Sequence, residues 1–421
     1  MKVSIIGLGY VGLPLACLLA RKSSVIGYDI NTTRIAELSS GCDVTNEVDP
    51  TELTGITFTD EPEMMLGSDV FIVTVPTPVT SENQPDLTLL KAATQTVGEI
   101  IRDGAVVVFE STVYPGVTED ILIPILENTS QLNSPDNFAV GFSPERVNPS
   151  DKIFTIENIT KVISANCSAG LEKIKAIYEQ AIPAGIYVAP NIKTAEMAKA
   201  LENTQRDLNI ALMNESAIIA NEIGINISEV IETAASKWNF AKYHPGLVGG
   251  HCIGVDPYYL ISKAEKLGVS ADLMKAARSV NEGMPKRVAA VLNHQLTTRG
   301  IDSGKTDSLV LGFSFKKNCA DIRNTKVATL IKTLSYSMAS CDVYDPIVDA
   351  SKAYNQYSVN IINALDKIKK NYHLIIINVL HDHIISDLPK LLDQCCNSDS
   401  IFFSIPAFSV ISRQDVLSQR P

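Results

Sequence analysis

The stretch "KVSIIGLGYVGLPLACLLARKSSVIGYDIN", residues 2–31, decides the fold of this chain. It begins with a short apolar run, passes through closely spaced glycines, continues with small and apolar residues of helical composition, and returns to an apolar run that ends at Asp29. A strand, a helix and a second strand in this order form a βαβ unit with two parallel strands. The beginning of the chain therefore predicts an α/β domain with a mostly parallel sheet.

The glycines of this stretch follow the pattern G-x-G-x-x-G directly after a strand and directly before a helix. In that position glycine lets the backbone turn tightly, approach a pyrophosphate and present it to the positive end of a helix. Asp29 can accept hydrogen bonds from the adenosine ribose and would repel a 2′-phosphate, which favours NAD over NADP. We expect Arg34 to lie over the adenine edge; the alternative for the whole turn is strand-to-helix packing alone. The predicted cofactor-binding residues of this unit are Gly7, Gly9, Tyr10, Val11, Gly12, Asp29 and Arg34.

Length and composition limit the possible classes of protein. A chain of 421 residues predicts two or three domains, because one hydrophobic core rarely serves so long a chain. The net charge of -11 argues against a general affinity for nucleic acid or anionic membrane, so any phosphate must be bound locally. The eight cysteines lack the spacing of a disulfide scaffold or zinc ribbon, which favours a cytoplasmic setting. No apolar run is long enough to predict a membrane span.

Three domains are expected along the chain. Apolar segments such as "DVFIVTV" and "AVVVFES" alternate with helical composition and predict an NAD-binding Rossmann domain over residues 1–192. From Thr194 to Gly224 the sequence contains no proline and no internal glycine, which predicts one helix of about thirty residues, roughly 45 Å long. It begins a helical domain over residues 193–300, with further helices at "EVIETAAS" and from about residue 270 to 297.

Strand and helix patterns return over residues 301–421 without a second G-x-G-x-x-G, and predict a smaller α/β domain. Helical middle sections commonly bury a partner subunit, so we expect a homodimer. The predicted fold is α/β, with two Rossmann-like parallel-sheet domains joined by a long central helix and a helical dimerisation region.

The segment "GLVGGHCIGVDPYYL", residues 246–260, contains the candidate nucleophile Cys252. It could be a metal ligand with His244, His251 and Asp256, but adjacent side chains such as His251 and Cys252 rarely bind one ion together, so no metal site is predicted. It could be a buried thiol, the commonest fate of cysteine. Paired glycines that allow close backbone approach, and polar residues within an apolar stretch, favour a reactive thiolate instead.

A reactive thiolate needs a positive neighbour that lowers its pKa. Lys199 and Asn203 are four residues apart on the predicted long helix and share one of its faces, so both could point into one cleft. A pair of this kind is otherwise typical of a solvated helix face. These two side chains are candidates for the neighbourhood of Cys252.

Seven motifs follow one another over about three hundred residues. They are "GLGYVG" with Asp29, "VPTPV" at 75–79, "ESTVYPG" at 110–116, "SPERVNP" at 143–149, "AEMAKALENTQRD" at 195–207, "GGHCIGVDP" at 249–257 and "LGFSFKKNCADIRNT" at 311–325. In these motifs and their order the chain resembles the UDP-glucose/GDP-mannose dehydrogenase family. The segment around Cys252 is more similar to bacterial UDP-N-acetylhexosamine 6-dehydrogenases than to UDP-glucose enzymes, in which Gly-Gly-Ser usually precedes the cysteine.

The resemblance implies oxidation of the C6 alcohol of a nucleotide sugar to a carboxylate with two NAD and one water, in bacterial surface polysaccharide synthesis. Cys252 would add to the C6 aldehyde to form a thiohemiacetal, and a second oxidation would give a thioester. Lys199 and Asn203 would stabilise the oxyanion, and a water held by Asp256 would accept the proton of the C6 hydroxyl. Glu145 would activate the water that hydrolyses the thioester; its alternative role is an ion pair with neighbouring Arg146.

The same resemblance implies further contacts with cofactor and substrate, in a cleft between domains. Those near the dinucleotide are Thr77, Ser111, Thr112 and Arg323, and Thr112 would also position water near Glu145. Those near the UDP sugar are Glu145, Arg146, Lys199, Asn203, Tyr243, Gly249, Phe315 and Lys316.

Three alternative functions stay open. They are a UDP-glucose 6-dehydrogenase, a two-electron NAD-dependent hydroxyacid dehydrogenase and a nucleotide-binding regulator without turnover. Among the UDP-N-acetylhexosamines, the sequence does not distinguish the gluco, galacto and manno epimers, because they differ only in the orientation of single substituents.

Overall fold

The structure, a computed structural model, describes residues 1–45, 47–147 and 154–418. It falls into two compact units, each with its own sheet and its own hydrophobic core. The first unit contains Met1–Glu202 and Tyr258–Ser270, and the second contains Asn203–Pro257 and Ala271–Pro421.

The first unit is built on a sheet with the strand order β3-β2-β1-β4-β5-β6-β7-β8. Its first six strands have the order of dinucleotide-binding folds, in which ligands bind beyond the carboxyl ends of the strands. The strands are β1 (Lys2–Ile6), β2 (Ser24–Tyr28), β3 (Ile56–Thr59), β4 (Val70–Val73), β5 (Val106–Phe109), β6 (Ala139–Phe142), β7 (Lys161–Ala165) and β8 (Ile186–Val188). The helices whose bounds lie in this unit are α1 (Gly12–Ala20), α2 (Thr32–Ser39), α3 (Thr88–Ile100), α4 (Ile123–Ser130) and α5 (Ser168–Glu179).

Buried apolar strands explain why this sheet is parallel. The sequences VFIV of β4 and VVVF of β5 are buried at every position, as expected for strands covered by helices on both faces. All neighbouring pairs are parallel except β6 and β7, which are antiparallel. The prediction of a mostly parallel sheet is confirmed.

Four helices lie between the two sheets in the sequence. The predicted long helix is present as α6 (Ile192–Glu222), and it ends before Gly224, whose φ of +74° is the left-handed conformation typical of a helix C-terminus. Helix α7 (Ile227–Ala235) and helix α9 (Asp272–Thr298) correspond to the two other predicted helical segments. Helix α8 (Asp256–Lys266) was not predicted.

The second unit contains a smaller sheet with the order β11-β10-β9-β12-β13-β14. Its first five strands are parallel, and β14 is antiparallel to β13. The strands are β9 (Asp307–Leu311), β10 (Ser340–Tyr344), β11 (Ile361–Ile362), β12 (Leu374–Ile377), β13 (Ile401–Ser404) and β14 (Ser409–Ile411). The helices of this sheet are α10 (Lys326–Leu334), α11 (Ala350–Tyr357), α12 (Asp382–Cys395) and α13 (Arg413–Leu417).

The prediction of a second Rossmann-like domain and a long central helix is confirmed by this architecture. None of the helices in the described part of the chain has the length and apolar character needed to cross a membrane.

Candidate active site

The glycine loop between β1 and α1 has a backbone that only glycine can form. Gly7 has a φ of +95°, and a Cβ on Gly12 would lie 1.9 Å from the carbonyl oxygen of Gly7 and 2.4 Å from Oγ1 of Thr74. A Cβ on Gly9 would meet none of the described atoms within 4 Å, so the backbone there is open to a ligand. Exposed Tyr10 and half-buried Val11 complete the turn into α1. The loop therefore fits a pyrophosphate at a helix N-terminus.

Asp29 follows β2 with both carboxylate oxygens already bound to the backbone. Oδ2 accepts a hydrogen bond from Leu8 N at 2.8 Å, and Oδ1 accepts one from Asn31 N at 2.9 Å. Arg34 is buried, with Nε donating to the carbonyl oxygen of Leu8 at 3.1 Å and Nη2 lying 2.8 Å from Oδ1 of Asp43. Asp29 is thus fixed in the place that suits ribose recognition, while Arg34 is held by Asp43; its contact with adenine stays a prediction.

Two loops after adjacent strands are tied together next to the nucleotide loop. Thr77 Oγ1 donates to the carbonyl oxygen of Thr112 at 2.6 Å, and Ser111 Oγ donates to that of Val75 at 2.6 Å. The hydroxyl of Tyr259, which the sequence did not indicate, donates to the carbonyl oxygen of Thr77 at 2.6 Å. These bonds link the carboxyl ends of β4 and β5, where the fold binds its ligand.

Glu145 lies beyond β6 in a buried group of charges. Its Oε1 accepts hydrogen bonds from the backbone N–H groups of Arg146 and Val147, both at 2.6 Å, and its Oε2 lies 3.3 Å from Nζ of Lys161. Nζ also lies 2.9 Å from Oε2 of Glu110, whose other oxygen accepts a hydrogen bond from the hydroxyl of Tyr178. The sequence did not point to Glu110, Lys161 or Tyr178 as site residues.

The charge of Lys161 controls the ionisation of Glu145. Burial raises the pKa of a carboxyl group, but Lys161 and two backbone N–H donors hold the pKa of Glu145 below its ordinary value. Burial and the nearby charge of Glu145 raise the pKa of Glu110, despite the opposing effect of Lys161. These opposite shifts favour the charged form of Glu145 more strongly than that of Glu110.

Arg146 makes its ion pair elsewhere. Nη2 of Arg146 lies 2.7 Å from Oε1 of Glu202. The contact of Arg146 with Glu145 is through the backbone N–H of Arg146, not through its guanidinium group. The alternative of a Glu145–Arg146 ion pair is therefore not what this structure contains. The last two residues of the motif at 143–149 lie outside the described residues.

The turn that carries Cys252 packs against the loop that contains Phe315. A Cβ on Gly249 would lie 2.9 Å from the Cβ of Phe315, and one on Gly250 would lie 2.8 Å from its ring. Gly250 has a φ of +81°, and its N–H donates to the carbonyl oxygen of Arg323 at 3.1 Å. The paired glycines are thus needed because no side chain fits between the two loops.

Cys252 is half-buried, and its Sγ lies 3.2 Å from Nδ1 of His251. Within its unit, Asn203 Nδ2 donates to Oδ2 of Asp256 at 2.6 Å, and the N–H of Asp256 donates to the carbonyl oxygen of Cys252 at 2.8 Å. Lys199 and Asn203 are both buried and share one face of α6. Residues 1–45, 47–147 and 154–418 contain no group of three or more His, Cys, Asp or Glu able to hold a metal ion.

A polar network that the sequence did not reveal supports the start of the cysteine segment. Asn214 on α6 accepts a hydrogen bond from Gly246 N at 2.9 Å and donates to Gly246 O at 3.1 Å. It also donates to Oδ1 of Asn281 at 2.9 Å, and Asn281 donates to Oδ1 of Asp207 at 2.7 Å. Arg278 Nη1 lies 2.6 Å from the same Asp207 oxygen. Helices α6 and α9 thereby hold residue 246 through its backbone.

The loop after β9 is anchored at both ends. Asp345 accepts a hydrogen bond from Phe313 N at 2.8 Å and lies 3.0 Å from Nε2 of His381, whose Nδ1 accepts one from Asn318 N at 2.8 Å. Lys316 lies between these anchors, and Ser314 Oγ donates to its carbonyl oxygen at 2.9 Å.

Two further candidate residues contact their own unit. Tyr243 packs half-buried against the core of the second unit. Arg323 pairs with Asp321, with Nη2 at 2.6 Å from Oδ2. The substrate and cofactor roles of both stay predictions.

A dinucleotide loop in one α/β unit, and a glycine-flanked cysteine next to an Asn–Asp pair in the other, define a class of NAD-binding oxidoreductase. Models of the UDP-glucose/GDP-mannose dehydrogenase family match residues 1–182 (NAD binding domain), 193–283 (central domain) and 309–405 (UDP binding domain). The chain belongs to this family.

Several relatives cover nearly the whole chain. It is 43% identical to the UDP-N-acetyl-D-glucosamine 6-dehydrogenase of Pseudomonas aeruginosa over 414 residues, which cover 94% of this chain and 98% of that protein. It is 45% identical to the enzyme of the same name from Salmonella typhi over 384 residues, covering 90% of each. The solved UDP-D-ManNAc dehydrogenase of Pyrococcus horikoshii is 32% identical, with a TM-score of 0.86, over 98% of this chain and 96% of that one.

The chain is thus an NAD-dependent nucleotide-sugar dehydrogenase with an NAD binding domain and a UDP binding domain. The predictions of family, enzyme class and NAD as cofactor are confirmed.

Proposed function

We propose that this enzyme oxidises the C6 hydroxyl of a UDP-N-acetylhexosamine to the uronic acid, with Cys252 as nucleophile, and supplies surface polysaccharide synthesis. The observation that carries the proposal is the hydrogen bond between Asn203 and Asp256. Asp256 is the first residue of α8, the helix that follows the Cys252 turn directly. A nucleophile, an oxyanion donor and a carboxylate that can hold water are the groups that a four-electron oxidation needs.

The glycine loop and Asp29 would hold NAD, with Thr77, Ser111, Thr112 and Arg323 near it. NAD, when bound, accepts a hydride in each of the two oxidations of C6. The protein's own part in the first oxidation is to receive the proton of the C6 hydroxyl on a water held by Asp256, a step to which we also assign Lys199. The product at C6 is an aldehyde.

The Cys252 thiolate would then add to the aldehyde carbon. A carbon–sulfur bond forms as the carbonyl electron pair moves to oxygen, and the intermediate stays attached to the protein. An Asn side chain has two N–H donors; one binds Asp256, and the second can stabilise this oxygen together with Lys199. Removing such a donor typically costs about 3 kcal/mol of transition-state stabilisation.

The second oxidation leaves a thioester, and its hydrolysis would depend on Glu145. The carboxylate takes a proton from water as the oxygen attacks C6 and the Cys252 thiolate leaves. The surroundings of Glu145 favour its charged form, which is the form that can accept a proton from water. Thr112 would help to position the water.

The relatives support N-acetylglucosamine as the sugar. Proteins named UDP-N-acetyl-D-glucosamine 6-dehydrogenase are 43% and 45% identical to this chain, against 35% for the UDP-N-acetyl-D-mannosamine dehydrogenase of Pyrococcus horikoshii. Staphylococcus aureus Protein CapL, 44% identical, supports a role in surface polysaccharide. Arg146, Tyr243, Gly249, Phe315 and Lys316 are the residues we assign to the UDP sugar.

We also propose a homodimer in a reducing, cytoplasmic setting. In the second unit, apolar side chains are exposed at Leu212 and Ile219 of α6 and at Ile223 directly after this helix, and Trp238 is 92% exposed. Large exposed apolar patches are rare on monomers. All eight cysteines are free thiols. Analytical ultracentrifugation of Ile219→Lys should show monomer where the unaltered enzyme shows dimer; an unchanged mass would contradict this interface.

The function is tested by NADH release from a panel of UDP sugars. Two NADH per UDP-N-acetylglucosamine consumed are expected, with slower turnover of the galacto and manno epimers and of UDP-glucose. One NADH per substrate would support a two-electron dehydrogenase instead, and preference for UDP-glucose would overturn the assigned sugar. Cys252→Ala should form no acid, whereas the matched control Cys42→Ala, at an exposed position, should keep the activity.

A further inference from the structure

The first unit contains a buried charge cluster that the proposed reaction uses only in part. The side chains of Glu110, Lys161 and Glu145 are 0%, 4% and 14% exposed, so an ammonium group is buried between two carboxyl groups. Burying charges is costly unless each is paired and hydrogen-bonded. A cluster of this kind at the carboxyl ends of β5 and β6 lies where the fold binds its ligands.

The members of the cluster differ in their surroundings: Glu110 is fully enclosed, whereas Lys161 also contacts the more exposed Glu145. Glu110 is enclosed, and it accepts hydrogen bonds from Lys161 at 2.9 Å and from the hydroxyl of Tyr178. Glu145 is the most exposed member, and its Oε1 is occupied by two backbone N–H groups. Lys161 is the donor that the described residues provide for Oε2, at 3.3 Å. It therefore fixes the carboxylate oxygen that is not bound to the backbone.

We propose that Lys161 is a positioning residue for the hydrolytic step: it orients Glu145 and keeps it charged, while Glu110 and Tyr178 hold Lys161 in place. The inference rests on the proposed function, in which Glu145 activates the water that cleaves the thioester. The inference adds two positioning residues to the candidate active site: Lys161 as the direct partner of the base Glu145, and Glu110 as the partner of Lys161.

The pH dependence of hydrolysis should report this arrangement. The groups that face Glu145 are Lys161 from β7, Glu110 beyond β5 and the backbone N–H groups of Arg146 and Val147. Tyr178 from α5 faces Glu110. With Lys161 present the pKa of Glu145 lies below its ordinary value, so the rate of hydrolysis should stay constant as pH falls from neutral toward the ordinary carboxyl range. A buried carboxyl without a positive neighbour has a raised pKa, so the acid limb should move toward neutral pH when Lys161 is removed.

The experiment compares Lys161→Met with Lys161→Met/Glu110→Gln in the full-length enzyme. The single variant leaves Glu110 buried without its cation and is expected to lose stability. The double variant removes that unpaired charge and should regain the melting temperature. Lys175→Met, at an exposed lysine on α5, is the matched control, and Glu145→Gln is the reference for loss of the base.

Rapid mixing with NAD and UDP-N-acetylglucosamine separates oxidation from hydrolysis. The double variant should release two NADH per active site at close to the unaltered rate and then turn over about tenfold or more slowly, because each unit of pKa rise above the assay pH removes about tenfold of the charged base. Its acid limb should move upward. A folded double variant with unaltered turnover and pH profile would overturn the inference, as would equal loss of the first NADH release and of turnover.

The reference variant distinguishes the two levels of the argument. One outcome is that Glu145→Gln releases two NADH per active site and then turns over slowly, while the double variant turns over at the unaltered rate. In that case only the role of Lys161 is wrong. If Glu145→Gln itself turns over normally, the assignment of the hydrolytic base in the proposed function is wrong, and the role of Lys161 is refuted with it.

Discussion

Replacing Gly250 by alanine tests whether the Cys252 turn depends on close packing against Phe315. In the structure Gly250 has a φ of +81°, and an added Cβ would lie between 2.8 and 3.0 Å from three atoms of the Phe315 ring. Real Cβ atoms do not approach other atoms this closely, so the turn or the ring must move. The same change at Gly300, with a φ of +71° and none of the described atoms within 4 Å of the Cβ position, is the matched control.

The magnitude follows from two separate costs. A non-glycine residue in the left-handed region costs about 1–2 kcal/mol, and both variants carry this cost. Overpacking in a closely packed site adds about 1–3 kcal/mol, and only Gly250→Ala carries it. Urea unfolding should therefore give a free energy of unfolding about 1–3 kcal/mol lower for Gly250→Ala than for Gly300→Ala.

Activity should separate the two variants further. Cys252 lies two residues after Gly250, and a displacement of a reacting group by about 1 Å can cost about 100-fold in rate. The value of kcat/KM should fall by roughly that factor in Gly250→Ala and stay unchanged in Gly300→Ala. Adding Phe315→Leu should restore part of the lost stability of Gly250→Ala. Equal stability and activity of the two alanine variants, or no recovery in the double variant, would refute the packing argument.

Three other predictions concern single polar groups. Asp29→Ala should raise KM for NAD about 10–100-fold and reduce the preference of the enzyme for NAD over NADP, because hydrogen bonds to a charged group contribute about 1.5–3 kcal/mol. An unchanged ratio of KM for NADP to KM for NAD would contradict this. Arg278→Met should destabilise the fold by about 3–5 kcal/mol by leaving Asp207 unpaired, and Asp207→Asn should recover most of that loss in urea unfolding. Burial opposes ionisation of Asp345, but hydrogen bonds from His381 and the backbone hold the pKa of Asp345 below its ordinary value. The contribution of this carboxylate to the free energy of unfolding is therefore present above about pH 4, and it is lost as pH falls through the lowered pKa. Between about pH 5 and pH 3, the free energy of unfolding of Asp345→Asn should therefore fall less than that of the unaltered protein. Parallel plots of the two free energies of unfolding against pH would contradict this role of Asp345.

The nucleotide unit could be predicted from sequence because its signals are local. The G-x-G-x-x-G pattern needs only the backbone of one turn, and β1, α1 and β2 follow one another directly. The long helix α6 could be predicted from the lack of glycine and proline over about thirty residues. Both features depend on neighbouring residues rather than on distant contacts.

Helix α8 could not be predicted because Pro257 resembles a helix breaker when read from the sequence. In the structure Asp256 and Pro257 are the first two residues of α8, where the missing N–H of proline costs no internal hydrogen bond. This placement brings the Asp256 carboxylate to the end of the helix, within reach of Asn203. A contact between residues 53 positions apart leaves no trace in local spacing.

The supporting residues were missed for the same reason. Lys161 begins a short strand, where a lone lysine is usually exposed. Its burial depends on two carboxyl groups distant in sequence, Glu110 51 residues earlier and Glu145 16 residues earlier. Asn214 lies within a uniformly helical stretch and gives no sign that it binds the backbone of Gly246. Motifs indicated the residues that react, whereas the tertiary fold determines the residues that hold them.

The central claim is that the sulfur of Cys252 becomes covalently joined to C6 of the sugar. The most direct test is peptide mass spectrometry of Glu145→Gln after incubation with NAD and UDP-N-acetylglucosamine, because this variant should form the thioester and hydrolyse it slowly. We predict an added mass equal to the UDP-sugar acyl group on the peptide that contains Cys252, absent when NAD is omitted. Acid formation without any adduct on Cys252, or an adduct on another cysteine, would contradict the account.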